Sequence, residues 1–370
     1  LCADHRQQTC TALLEITQRC DLRCSYCFAD SGNGNYCDPD KSVIRSWYEA
    51  LVASGHPCNI QLSGGEPTLR DDLPEIVALG RAMGFQFIQL NTNGLRLARD
   101  PSFVERLKEA GLSSVFLQFD GTDDRIHRAL RGGPFLKTKL EAIHNCEQHE
   151  LGVILVPTLV PRVNTNNLGE IIRFALENIR VVRGVHFQPV SYFGRYPPLP
   201  SDDDRLTLPE LIRNLETQTS GLIKTGNLAP PGCENALCSF HGNFVLMPNG
   251  NLTALTRYQP SCACQGPARS EDAAHRTRGF IAEHWSSLPK SESPKGNTSF
   301  SLGEWDVLLK RAATHTLCVS GMVFQDAWNV DLERLRDCCI HVVARDGRLI
   351  PFCAYNLTSS LGGFLYGRGC

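Results

Sequence analysis

From residue 11 to residue 190 the chain alternates short apolar runs with longer stretches in which apolar positions recur every three or four residues. The short runs are TALLEIT (11–17), NIQLSGG (59–65), QFIQLNTNG (86–94), SSVFLQFDG (113–121), GVILVPTLV (152–160) and GVHFQPV (184–190). Their length and bounding turn residues predict strands. The longer stretches predict helices over 39–54, 72–84, 101–111, 135–150 and 166–179, each beginning near Asp, Ser or Asn or ending near Gly. Six strand–helix repeats predict parallel βα units with right-handed crossovers. The expected fold is therefore α/β, a partial (β/α)6 TIM-like barrel, two units short of a complete one.

RYPPLPSDDDRLTLPE (195–210) breaks the alternation with prolines and an acidic run. We expect a barrel at 11–195, a short segment at 1–10 ahead of it, and a C-terminal cysteine-rich domain at 196–370. The polar residues of the barrel half fall mostly at the C-terminal ends of its strands: Ser63-Gly64-Gly65-Glu66, Asn91-Thr92-Asn93, Gln118 with Asp120, Thr158 and Gln188. Strands must end in something, so a plain reading makes these loop residues. Parallel α/β sheets, however, place ligands at that edge, and five polar groupings on one edge predict a pocket.

Composition narrows the class. The hydrophobic fraction of 42% and charged fraction of 21% suit a globular enzyme. A formal net charge of -2 gives no reason to expect nucleic acid or an anionic membrane as partner. No uncharged apolar run reaches the roughly 18 residues of a membrane span, and LCADHRQQTC (1–10) lacks the apolar centre of a signal peptide. A cytoplasmic location is expected. Seventeen cysteines is the abnormal number. With no export signal they read as metal ligands more readily than as a disulfide framework. They cluster at 20–27, 233–264 and 338–353, with Cys2 and Cys10 opening the chain, while Cys37, Cys58, Cys146, Cys318 and Cys370 are scattered.

CDLRCSYC places Cys20, Cys24 and Cys27 on one tight loop after the first strand. Structural zinc takes four protein ligands, and a catalytic zinc could use three and a water. Three soft thiolates also suit an iron–sulfur cube with one iron left open to a small molecule. Here the chain resembles the radical S-adenosylmethionine (SAM) superfamily. The resemblance rests on the three cysteines, on Tyr26 before the last of them, and on LSGGEPTL after the second strand. It implies a [4Fe–4S] cluster on Cys20, Cys24 and Cys27, Tyr26 near the adenine, and the Gly64-Gly65-Glu66-Pro67 turn at the methionine amino group of SAM. It also implies reductive cleavage of SAM to a 5'-deoxyadenosyl radical. Asn93, Gln118, Thr158 and Gln188 are the further candidates for contact with SAM or substrate. No catalytic residue is assigned.

In the C-terminal half, CENALC (233–238) and CAC (262–264) offer Cys233, Cys238, Cys262 and Cys264 for one auxiliary [4Fe–4S] cluster. Cys2, Cys10, Cys338, Cys339 and Cys353 are candidates for a second; buried thiols with a zinc are the plainer alternative. LCADHRQQTC, RGVHFQPVSYFGR and FQDAWNVDLERLRDCCIHVVARDGRLIPFCAYN are similar to the archaeal tetraether-lipid synthases and the related enzymes first described as dihydropterin methyltransferases. The likeness covers roughly 1–215 and 315–357; 216–315 matches least, and larger relatives carry a metal-binding extension ahead of the stretch like LCADH. It implies carbon–carbon bond formation, or methyl or alkyl transfer, on a lipid-like or small-molecule substrate. The expected electron source is a low-potential donor such as flavodoxin or ferredoxin. A radical peptide maturase is the enzyme alternative. An iron–sulfur electron carrier is the non-enzyme one, and it would have no use for Glu66 and its two glycines.

Overall fold

The computed structural model of the protein describes residues 5–32, 37–55, 57–197, 200–257, 278–279, 285, 308, 311–312, 314–359 and 363–366. The N-terminal half runs β1 (Thr11–Thr17), α1 (Lys41–Ala53), β2 (Asn59–Gly64), α2 (Leu73–Ala82), β3 (Ile88–Thr92), α3 (Leu95–Arg99) and α4 (Pro101–Glu109). It continues through β4 (Ser114–Gln118), α5 (Asp124–Arg131), α6 (Leu136–Gln148), β5 (Gly152–Val156), β6 (Thr158–Leu159), α7 (Leu168–Glu177) and β7 (Val182–Pro189). The C-terminal half adds α8 (Leu208–Gln218), β8 (Ser239–Leu246), β9 (Leu252–Ala254) and β10 (Thr316–Met322). It ends with α9 (Leu332–Arg336), β11 (Ile340–Val343), β12 (Leu349–Pro351) and α10 (Phe352–Asn356).

All belong to one sheet, in the order β12-β11-β1-β2-β3-β4-β5-β7-β10-β8-β9, with β6 beside β7. The six predicted strands form its parallel centre, β1-β2-β3-β4-β5-β7. The C-terminal half contributes one further parallel strand at each edge: β11 against β1 and β10 against β7. Antiparallel strands then extend both edges.

Helix α1 shows how the outer layer is held. Its buried residues Ile44, Trp47, Tyr48 and Leu51 fall at i, i+3, i+4 and i+7, one stripe turned to the sheet. Each such side chain contributes roughly 1.5–3 kcal/mol by leaving water. Helix α4 starts at Asp100, whose side chain accepts from Phe103 N, and α8 at a Thr207–Glu210 capping box.

The inner layer reverses the usual apolar filling of a barrel. On β2 and β3 the outward positions Ile60, Leu62, Ile88 and Leu90 belong to the main hydrophobic core under the helices. The inward positions Asn59, Gln61, Ser63, Gln89 and Asn91 border a cavity. Among the described residues no helix is long and apolar enough to cross a membrane.

Candidate active site

A cavity of about 270 Å³ runs from the C-terminal edge of the parallel strands down the lumen. Cys20, Cys24, Tyr26, Cys27, Gly64, Gly65, Glu66, Asn93, Gln118, Thr158 and Gln188 all border it. Pro67 does not; it is buried in the first position of a 3-10 turn, Pro67–Leu69, that carries the chain away from the site. Asp120, expected at the cavity wall, is fully buried behind it.

The loop after β1 is clamped from several sides. Cys27 and Arg195 exchange backbone hydrogen bonds of 2.8 and 2.9 Å. The Arg195 guanidinium donates to Cys24 O (2.8 Å), Asp30 Oδ1 (3.0 Å) and Ser31 O (3.0 Å). Ser25 N donates to Leu130 O, and Arg131 Nη1 to Tyr26 O. The three thiols pack with Leu22, Leu95 and Phe135. Burial pushes the Cys20 thiol up to about 12 and raises Cys27 as well. Such thiols stay protonated unless a cation compensates for the charge. A soft three-thiol set in an apolar setting fits an iron–sulfur cluster. Tyr26 is half-buried and meets the Tyr192 ring edge-on at 6.4 Å.

The Gly-Gly-Glu turn is shaped by this chain's own backbone. Gly65 N donates to Thr17 O and Glu66 N to Arg19 O, both at 2.8 Å. A Cβ on Gly64 would come within 2.1 Å of Thr17 O, and one on Gly65 within 2.1 Å of Arg19 O. Both glycines are thus required where the turn packs against the backbone that leads into the cysteine loop. Glu66 is buried, and its Oε1 accepts from Thr68 N, Thr68 Oγ1 and Thr92 Oγ1 at 3.1, 2.6 and 2.6 Å. Its Oε2 accepts from Asn93 N at 2.7 Å. Burial pushes this carboxyl up, and the four bonds only partly counter it. Oε1 is crowded, while Oε2 keeps room for another donor.

Below the turn lies a charge network that the sequence pattern did not show. Arg131 on α5 grips Asp120 through two hydrogen bonds of 2.6 and 2.7 Å and donates to Thr158 Oγ1 at 2.8 Å. Burial works to raise the Asp120 carboxyl, but Arg131 prevails and holds it below the usual range. Asp120 therefore sets Thr158 in place both through Arg131 and directly, its Oδ1 accepting from Thr158 N at 3.1 Å. Lys139 on α6 is fully buried and donates to Asn93 O and to Gln118 Oε1 (3.5 Å). With its carbonyl so engaged, Gln118 turns its amide nitrogen away from Lys139. Burial pulls the Lys139 ammonium down to about 8. A lysine inside an amphipathic helix pattern reads as solvent-facing, which is why it was not singled out.

The C-terminal thiols group differently from their order in sequence. Cys10, Cys233 and Cys339 are buried, with their sulfurs all within 4.8 Å of one another. Among the other thiols, the charge of Cys238 raises Cys338, and the charges of Cys338 and Cys238 raise Cys353. The sequence grouped Cys233 with Cys238 and Cys338 with Cys339; the structure brings Cys233 and Cys339 together beside Cys10. The pairing of β1 with β11 carries Cys339 to Cys10: Cys10 N donates to Cys339 O at 2.8 Å. Cys2, Cys262 and Cys264 lie outside the described residues. Glu234 borders the cavity beside the first set.

Comparison with known proteins agrees with this geometry. The profile of the Radical SAM superfamily matches residues 14–175. The chain is 35% identical to the 7,8-dihydro-6-hydroxymethylpterin dimethyltransferase of Methanocaldococcus jannaschii, over 96% of this chain and 78% of that one. The chain belongs to the radical SAM superfamily, and it is an enzyme of that class. It is also 32% identical to the GTP 3',8-cyclase of Listeria monocytogenes, over 50% of this chain and 58% of that one. Among solved structures, SuiB of Streptococcus suis bound to its precursor peptide SuiA aligns with a TM-score of 0.50. It is 15% identical over 60% of this chain and 47% of that chain, a likeness of fold alone.

Proposed function

We propose that the protein is a radical SAM enzyme of the methyl- or alkyl-transferring kind, acting on a small molecule held in the barrel lumen. The observation that carries this is convergence: three thiols, the Gly-Gly-Glu turn and the strand-end polar residues border a single cavity. Similarity over 96% of this chain and 78% of a dihydro-hydroxymethylpterin dimethyltransferase supports the reaction class.

Cys20, Cys24 and Cys27 would hold the [4Fe–4S] cluster. Glu66 Oε2 and the backbone of Gly64 and Gly65 would take the SAM amino group. Tyr26 would lie against the adenine, with Asn93, Gln118, Thr158 and Gln188 contacting SAM or substrate. When bound, cluster and SAM supply hydrogen-atom abstraction by a 5'-deoxyadenosyl radical. The chain's own work is to hold the reacting carbon in place and exclude water. Lys139 and the Asp120–Arg131 pair fix Gln118 and Thr158, so these polar contacts are set before ligand arrives.

We assign 11–195 to radical initiation, and 1–10 with 196–370 to the auxiliary clusters and, together with the barrel lumen, to substrate; Cys10–Cys233–Cys339 and Cys238–Cys338–Cys353 would be the two ligand sets. A cytoplasmic flavodoxin or ferredoxin would supply electrons. The test is anaerobic reconstitution with SAM and dithionite. Wild type should form 5'-deoxyadenosine, and Cys20→Ala, Cys24→Ala and Cys27→Ala together should abolish it. A triple variant that still formed the product would refute the assignment.

A further inference from the structure

We propose that the lower lumen is a substrate-reading subsite in which Asn59, Gln61 and Asn91 hydrogen-bond the edge of a planar polar heterocycle of the pterin kind. This rests on the function proposed above and names its substrate class and the residues that select it.

The three residues occupy the inward positions of β2 and β3, one level or more below the Gly-Gly-Glu turn. Asn59 lies four residues before Ser63, about 13 Å down the strand. The residue is 7% exposed, and its Nδ2 is buried without a partner. Asn91 Nδ2 donates to Ser63 Oγ at 3.4 Å, and its Oδ1 is likewise buried without a partner. Gln61 Nε2 donates to Gln89 Oε1 and Gln89 Nε2 to Ser114 Oγ, both at 2.8 Å. That chain of amides fixes the orientation of Gln61 and leaves its Oε1 as an acceptor at the cavity wall. The row thus offers one donor and two acceptors from side chains held by the sheet.

Next to this row the wall turns aromatic. Phe87, Phe116 and Trp285 pack in one cluster, with Phe116 and Trp285 stacked at 6.0 Å and 22°. Amides along one side and rings along another suit a flat molecule that presents both a π-face and a donor–acceptor edge. An alkyl chain would leave Asn59 Nδ2 and Asn91 Oδ1 unpaired, displace water from Gln61 Oε1 and return nothing. Sites built to hydrogen-bond a substrate reject the analogue that lacks those groups far more strongly than apolar pockets reject an extra methylene.

The probes are 6-hydroxymethyl-7,8-dihydropterin and hexadecanol, measured by equilibrium dialysis against reconstituted protein with SAM present. Wild type should bind the pterin and not hexadecanol. Asn59→Leu and Gln61→Leu should each weaken pterin binding at least tenfold, with SAM affinity and iron per chain unchanged. Having two variants at separate positions guards against one that misfolds. Absence of pterin binding, equal pterin binding by wild type and both variants, or hexadecanol binding by wild type as tight as that of the pterin would each overturn the proposal. Dithionite-driven SAM cleavage separates the two failures. Cleavage retained with pterin binding unaffected by the variants overturns the subsite alone, while no cleavage in wild type overturns the radical chemistry.

Discussion

Glu66 carries two duties in one carboxylate. Its four protein hydrogen bonds pin the turn after β2 to the end of β3, and its remaining lone pair faces the SAM site we propose. Glu66→Ala would leave the buried amides of Thr68 and Asn93 unpaired, at about 1–3 kcal/mol each. We expect a loss of roughly 3 kcal/mol in urea unfolding of the apoprotein together with weakened SAM binding. Unchanged stability would mean that water replaces the carboxylate. His186 makes a different prediction. Its Nδ1 bonds Ser320 Oγ at 2.8 Å, and burial lowers its pKa to about 4. The unfolded chain takes up this proton below about pH 6.5 and the folded chain only near 4. Wild type should therefore lose stability as pH falls from 6.5 to 4, by up to about 3 kcal/mol from this residue. His186→Gln should flatten that limb in unfolding curves taken along the pH series.

At the scale of elements, the barrel half was legible because each strand and helix there carries its own signal. The six central strands and the helices over 41–53, 73–82, 101–109, 136–148 and 168–177 match the periodicity closely. Helix α5 was missed because DRIHRALR is short and strongly charged, although Asp123 caps it and Gly132 ends it in the left-handed region. The strands of the C-terminal half were missed for another reason. SFHGNFVL interrupts its apolar run with Gly and Asn, and it becomes a strand by pairing with β10, a partner some seventy residues away along the chain. What positions the cysteine loop is equally non-local. Gly194, just past β7, has φ +69, and a Cβ there would meet Cys27 O at 2.2 Å and Phe28 O at 2.6 Å. Gly194→Ala should thus push the loop out of register and lower the iron held by Cys20, Cys24 and Cys27 by more than half. Far-UV circular dichroism should stay unchanged. Full iron occupancy in this variant would show that the loop tolerates the shift.

At the scale of the molecule, the sheet itself sorts the thiols. Cys338 and Cys339 are neighbours in sequence, yet Cys339 leads into β11 beside Cys10, which leads into β1, while Cys338 interacts electrostatically with Cys238 and Cys353. Cys238 likewise stands outside the 4.8 Å set that holds Cys233. Proximity in sequence could not show this, because it follows from a parallel pairing between strands more than three hundred residues apart. Partners around the second set differ too: Arg334 Nη2 donates to Cys238 Sγ and Gln325 N to Cys353 Sγ, both at 3.2 Å. If each set holds a cluster, each should account for about four irons. Single serine replacements of Cys10, Cys233 or Cys339 should then remove one and the same complement, so that doubling two of them removes no more. Combining Cys233→Ser with Cys238→Ser should instead remove about eight irons, since the two belong to different sets. Iron analysis with Mössbauer spectroscopy reads both outcomes. Additive loss within Cys10–Cys233–Cys339, or a loss of only four irons in the Cys233–Cys238 double variant, would return the ligands to the grouping that sequence order suggests. The pairing of β1 with β11 would then have no part in building the auxiliary sites.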